Sequence, residues 1–294
     1  MHETVFLQSA VDWLQIEPGC TYLDATFGEG GHSREMISRG ARVIAMDYDS
    51  HFFEAGRQNC AELIGDGRLR LLCANFAQLD QLPEVRAAEI SGVIFDLGTN
   101  SDQLMDGSRG LSVYDDGPLD MRLDESLAVT AHDVLMALSE RELADVFARL
   151  GGEREAKAIA RAIVRERKKR GLEAFLTSGE LVATIEKTKR ERTRLHPATK
   201  VFQALRMVVN DERANLINGL QAAWQVLAPG GRLVAIAFHE GEDGLVKEFM
   251  KKQAADGTGE ILTRHPVVPD EREAQNHRAR SAKMRVIQKK GKQC

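Results

Sequence analysis

Residues 22–33 limit what this chain can become more than any other stretch. Tyr22-Leu23-Asp24-Ala25 is a short apolar run of strand character. It leads into Thr26-Phe27-Gly28-Glu29-Gly30-Gly31-His32-Ser33, a glycine-rich turn. Glycine permits positive φ and lets the backbone approach a ligand closely. A strand, such a turn and a helix in succession read as the first βα unit of a parallel sheet. Apolar runs at 42–46, 69–73 and 92–95, with helical periodicity near 33–38 and 50–63, continue the alternation. Strands alternating with helices imply βαβ units, and in open sheets of that kind ligands lie beyond the carboxyl ends of the strands.

After Asp96 the pattern breaks. Residues 98 to 128 are rich in Gly, Asp and Ser and read as a long ordered loop, and a helical block follows. Thr130 with Asp133, Ser139 with Glu142 and Thr177 with Glu180 have the hydroxyl-to-acid spacing of capping boxes ahead of apolar periodicity. The α/β pattern returns with a helix at 216–227, the turn Pro229-Gly230-Gly231 and a strand at 232–238. A last strand at 283–287 is expected at an edge of the sheet. With 294 residues the chain is long for one domain. The expected division is a discontinuous sheet domain, 1–105 and 212–294, around an inserted helical domain, 106–211.

The crest of the first domain has the chemistry of an adenosine site. Asp47 ends the second strand about 20 residues after the turn, where an acid bonds a ribose hydroxyl pair. The glycines do not follow G-x-G-x-x-G, the arrangement that seats a pyrophosphate on a helix N-terminus. Acids at the end of the first strand, Asp24, and after the fourth, Asp96, suit the cationic groups of S-adenosylmethionine better than a dinucleotide's phosphates. Phe76 follows the third strand, where an aromatic can stack on adenine or pack in the core. Cys20, Cys60, Cys73 and Cys294 show no zinc or redox spacing. The acids Glu240, Glu242 and Asp243 lack partners at ligand spacing, so no metal is expected. No apolar run approaches a membrane span and no leader is legible, which makes a cytoplasmic protein the default.

Longer blocks then specify a family. Asp24-Ala25-Thr26-Phe27-Gly28-Glu29-Gly30-Gly31-His32-Ser33, Asp96-Leu97-Gly98 and Asp116-Gly117-Pro118-Leu119-Asp120-Met121-Arg122 come first. Gly152-Glu153-Arg154, Ile159-Ala160-Arg161-Ala162-Ile163-Val164 and His196-Pro197-Ala198-Thr199-Lys200-Val201-Phe202-Gln203-Ala204-Leu205-Arg206 follow, and Arg278-Ala279-Arg280-Ser281-Ala282-Lys283 closes the set. In this order the chain resembles the bacterial 16S ribosomal RNA cytosine-N4 methyltransferases. The resemblance implies an α/β fold, a Rossmann-like class I methyltransferase sheet with an inserted all-helical domain that recognises RNA. It implies methyl transfer from S-adenosyl-L-methionine to N4 of a cytidine at the decoding site of 16S ribosomal RNA. By matching position the cofactor-binding residues are Gly30, Gly31, His32, Asp47, Phe76, Asp96 and Gln103, to which the turn adds Gly28.

Where the family reads a Val-Ser-Ser-Pro-Gln-Leu-like run, this chain has Thr99-Asn100-Ser101-Asp102-Gln103-Leu104. Where it reads Phe-His-Ser-Leu-Glu-Asp-Arg, this chain has Phe238-His239-Glu240-Gly241-Glu242-Asp243-Gly244. A cytosine amine needs acceptors that pull it toward tetrahedral geometry beside an aligned methyl donor. Asp96 and Asn100 are the expected orienting acceptors and hence the catalytic pair. Transfer to another RNA or DNA cytosine stays open, as does a non-catalytic adenosylmethionine-binding assembly factor. The net charge of −4 is the wrong sign for an RNA binder. Local clusters must carry that role: Arg161, Arg165, Arg167, Lys168, Lys169 and Arg170; Lys187, Lys189, Arg190, Arg192 and Arg194; and the tail Arg278, Arg280, Lys283, Arg285, Lys289, Lys290 and Lys292. The expected partner is 16S ribosomal RNA or the small ribosomal subunit, with a homodimer as an open alternative.

Overall fold

The computed structural model describes residues 4–98, 107–190, 196–270 and 279–291. The chain forms two compact units, residues 1–98 with 213–294, and residues 99–212. It leaves the first unit at residue 98, where the sequence reading places the boundary at 105, and re-enters it at 213 rather than 212.

The first unit is a seven-stranded sheet of β1 (Thr21–Asp24), β2 (Arg42–Asp47), β3 (Leu69–Cys73), β4 (Ile90–Asp96), β5 (Leu227–Ala237), β6 (Gly259–Ile261) and β7 (Lys283–Lys289), in the order β3-β2-β1-β4-β5-β7-β6. The first five strands run parallel. From β1 the chain winds outward through β2 and β3, then returns to place β4 and β5 on the other side, so the order reverses between β1 and β4. That reversal opens a crevice at the strands' carboxyl ends.

Parallel strands buried on both faces show continuous apolar runs whose alternate residues serve opposite sides. Leu23, Ile44, Met46, Val93, Phe95, Leu233 and Ala235 belong to one core cluster, with Leu220 and Trp224 of α11 (Glu212–Val226) and Phe249 of α12 (Glu240–Ala255). Tyr22, Val43, Ala45, Ile94, Val234 and Ile236 belong to the other, with Val11 and Leu14 of α1 (Leu7–Leu14) and Met36 of α2 (Gly31–Ser38).

Several sequence expectations change. The strand at 283–287 is not at the edge: β7 lies between β5 and β6 and pairs antiparallel with both. The edge is β6, three residues too short to show a pattern. The helix expected at 50–63 is two, α3 (Ser50–Asn59) and α4 (Ala61–Gly65), because Cys60 between them leaves helical geometry at φ −119, ψ 20, and a short α5 (Pro83–Arg86) precedes β4. β5 begins at Leu227, and Pro229-Gly230-Gly231 is accommodated as a bulge opposite Ser91.

Among its described residues the second unit is helical: α6 (Ala131–Ala137), α7 (Glu140–Arg149), α8 (Ala156–Arg170), α9 (Ser178–Thr188) and α10 (Thr199–Val209). Thr130 and Ser139 form reciprocal capping boxes with Asp133 and Glu142. Thr177 accepts from the Glu180 backbone, but the Glu180 carboxylate turns to Leu176 N and Arg170 instead. Asn210 donates to the Met121 and Arg206 carbonyls and accepts from Leu123 N, which fastens the Pro118–Leu123 segment to the end of α10. No helix among the described residues is long and apolar enough to cross a membrane.

Candidate cofactor site

Three carboxylates stand at the crest because β1, β2 and β4 each end on aspartate: Asp24, Asp47 and Asp96. The turn after β1 lies among them. Gly30 caps α2 at φ 77, and a Cβ there would come within 2.5 Å of the Phe27 ring. Gly30 is therefore fixed by backbone and by packing together. Gly28, at φ 52, differs: a Cβ there would meet nothing within 4 Å among the described residues. The open space over Gly28 is where a ligand can approach the main chain.

Asp47 anchors the turn from the neighbouring strand. Its Oδ2 accepts from Gly28 N at 2.9 Å and its Oδ1 from Asp49 N at 2.9 Å. Burial outweighs these bonds and pushes its pKa up to about 7. Each of its oxygens keeps a second lone pair for a hydroxyl. Asp24 is 1% exposed, and burial raises its pKa, with His32 opposing. Its oxygens accept from Thr26 N at 3.2 Å and the Ser33 hydroxyl at 2.7 Å. Asp24 thus shapes the turn from below, where the sequence reading gives it to the cofactor's cationic end.

His32, in the first turn of α2, is 3% exposed, and neither ring nitrogen has a hydrogen-bond partner among the described residues. Its Nε2 lies 3.5 Å from Asp96 Oδ2, too long for a firm bond. Asp96 Oδ1 is likewise buried without a partner among the described residues. Unpaired buried polar atoms are costly and call for a ligand or an unseen partner. The Asp96 backbone N–H donates to Thr26 Oγ1 at 2.6 Å, which ties the end of β4 to the glycine turn. Thr26 and Ser33 carry no distinguishing sequence signal beyond their place in the turn.

Phe76 follows β3 but is 9% exposed, edge-on to Phe95 at 5.6 Å, with its ring against Gly219. Its ring contacts are those of a core residue. Gly31 lies beside Thr4, whose Oγ1 would be 2.1 Å from an added Cβ. Asn100 and Gln103 lie outside the described residues.

At the far side of the crest His239 ends the β5 segment and caps α12. Its Nδ1 accepts from Gly241 N at 3.1 Å and Glu242 N at 3.3 Å. That fixes the tautomer with hydrogen on Nε2 when the ring is neutral. Glu242 accepts from Phe238 N, and Asp243 holds Arg285 in a buried bidentate pair at 2.6 and 3.0 Å that draws its pKa down against the opposing effect of burial. Glu242 and Asp243 thus serve the helix N-terminus and a strand.

None of Asp24, Asp47 and Asp96 pairs with a lysine or arginine among the described residues. Such a crest repels a pyrophosphate and attracts a cation. An open glycine backbone, an acid with acceptor sites for a ribose, and His32 and Asp96 atoms unpaired among the described residues fit adenosylmethionine, which carries a sulfonium and an amino acid head.

The profile of the MraW methylase family matches residues 1–290. A relative called ribosomal RNA small subunit methyltransferase H from Koribacter versatilis is 43% identical over 98% of this chain and 94% of its own length. A protein of the same name from Afipia carboxidovorans is 40% identical, covering 98% and 90%. The crystal structure of an rRNA methylase from Streptococcus thermophilus is a remote likeness, 11% identical with a TM-score of 0.45 over 99% of both chains. On the extent of the profile match and the identity of these relatives, the chain belongs to the MraW methylase family.

Proposed function

We propose that the chain methylates N4 of a cytidine in 16S ribosomal RNA, at the decoding site, with S-adenosylmethionine as donor. Family membership and the relatives' shared name support the reaction class and the RNA. The carrying observation in the molecule is the crest itself, an open glycine turn ringed by Asp47, Asp96 and His32. When bound, adenosylmethionine supplies a methyl group on a positively charged sulfur. Asp47 accepts the ribose hydroxyls. Gly28 offers open main chain, Gly30 and Gly31 hold the turn beside it against Phe27 and Thr4, and Phe76, whose ring packs in the core, offers the adenine only its small exposed edge. His32 and Asp96 supply the polar atoms that bind the amino acid end and orient the incoming base.

A cytosine amine is a poor nucleophile because its lone pair is delocalised into the ring. Asp96 is held by Thr26 at the end of β4 and serves as an acceptor for an amine hydrogen. Asn100 acts as the second acceptor. The base leaves its stack to reach the crest, as enzymes that modify bases require, and the helical unit binds the surrounding RNA. The test is to incubate purified protein and methyl-labelled cofactor with small subunits from a strain lacking the gene, then map the label. Label at one cytidine N4 of the decoding site supports the reading. Label on another nucleotide, or on none, rejects it.

A further inference from the structure

We infer that one face of α8, carrying Lys157, Arg161, Arg165 and Lys168, is the surface that holds the phosphate backbone of the RNA substrate. The inference rests on the RNA reading above and narrows it from a domain to four side chains.

The structure commits seven of the clustered basic side chains to contacts within the fold, while Lys187, Arg190 and Lys290 stay exposed outside α8. In the tail, Lys283 pairs with Glu240 at 2.5 Å and Arg285 is locked to Asp243. Lys289 donates to the carbonyls of Trp224 and Leu227 at 2.6 and 2.7 Å, and so closes the carboxyl end of α11. In the middle cluster, Lys189 is buried against Glu153 at 2.7 Å, the two side chains 4% and 1% exposed. On α8 itself, Arg167 donates to three carbonyls, Leu135, Met136 and Leu138, at the end of α6. Lys169 meets Glu166, and Arg170 meets Glu180. Arg192, Arg194, Arg278 and Lys292 lie outside the described residues.

What is left on α8 is ordered. Ala156, Ile159, Ala160, Ile163 and Val164 are buried, whereas Lys157, Arg161, Arg165 and Lys168 are exposed. With 3.6 residues per turn these four fall within an arc of about 80° and span about 16 Å of helix axis. Lys157, Arg165 and Lys168 make no hydrogen bond or ion pair among the described residues, and Arg161 meets only Glu140, at 3.4 Å with its own side chain 75% exposed. The helix's one acid, Glu166, projects elsewhere, toward Lys169. Like charges one turn apart repel each other, and nothing on the helix offsets this along that face. In a chain of net charge −4, a row of long cations whose one counter-ion is Glu140, from outside the helix, fits a regular polyanion, whose phosphates it can meet in succession without reading bases.

The test replaces the four residues by glutamine in the full chain: Lys157→Gln, Arg161→Gln, Arg165→Gln and Lys168→Gln. Lys251→Gln with Lys252→Gln, exposed on α12, is the control. Binding to a decoding-site RNA fragment is measured across salt concentrations, beside methyl transfer to small subunits. For the quadruple variant the slope of log affinity against log salt becomes shallower by about 3, from ~0.7 per cation lost on a single strand. KM for RNA rises at least tenfold, while kcat at saturation, cofactor affinity and Tm change little. The control matches the wild type.

An unchanged slope and KM overturn the inference. So does loss of binding to phosphatidylserine vesicles with RNA binding intact, which would mark a membrane-facing surface. If the wild type binds RNA through these residues but transfers no methyl, the proposed activity fails and this surface stands. If it transfers methyl independently of them, the reverse holds.

Discussion

Asp47 accepts two backbone N–H groups and still has its pKa pushed up to about 7, because burial dominates. Its folded pKa lies above the unfolded value, so between about pH 4 and 7 the folded state holds the extra proton. The group's contribution to stability is present at low pH and is lost as pH rises through 7. Ribose hydroxyls donate best to the ionised form and pull that pKa down. Cofactor binding should therefore release a proton near pH 6 to 7, and affinity should fall about tenfold per pH unit on acidification below 7, until the bound-state pKa is reached. Calorimetry in buffers of different ionisation enthalpy reads the proton directly, and a buffer-independent enthalpy would contradict this role for Asp47. The glycines make a paired prediction. Gly30→Ala must displace Phe27 at a positive φ, so it lowers Tm as well as cofactor affinity. Gly28→Ala carries ~1 kcal/mol of backbone strain, meets no atom of the described residues, and loses affinity out of proportion to its stability. Equal losses in both variants would show that nothing approaches Gly28.

At the scale of elements, α12 starts on an imidazole. His239→Asn keeps an acceptor in the cap position and should hold Tm, whereas His239→Ala should cost ~1 kcal/mol. Indistinguishable thermal unfolding of the two would show that the cap is unimportant. In the helical unit the buried Glu153–Lys189 pair is the larger liability. Glu153→Gln strands a buried ammonium and should cost ~3–5 kcal/mol, while Glu153→Leu with Lys189→Met should cost much less. Additive losses in denaturant unfolding would refute the coupling. The elements legible in the sequence were those with a local signal. β1 to β4 announce themselves by apolar runs, and Thr130 and Ser139 by their capping acids. α12 has no clear local signal because Gly241 and Gly244 interrupt its first turns, and β6 has none because its three residues find their place only through pairing with β7.

For the whole molecule, the α/β alternation and the glycine turn were enough to place the crest, since the topology puts every strand-ending aspartate on the same edge. The side-chain assignments were harder to read. A lysine bound for phosphate and one that closes a helix end, such as Lys289, look alike until the fold brings Trp224 and Leu227 to it. Asp24 looked like a ligand because its two partners, Thr26 and Ser33, act through turn geometry rather than through charge. The proposed function requires the crest to deliver a methyl group to an exocyclic amine. The direct measurement is mass spectrometry of nucleosides from 16S ribosomal RNA after reaction with the purified protein and isotopically labelled adenosylmethionine. The prediction is N4-methylcytidine carrying the label, formed in proportion to enzyme and absent with Asp96→Ala. Methylation on ring carbon, on ribose or on no cytidine, by protein that binds the cofactor, would contradict it.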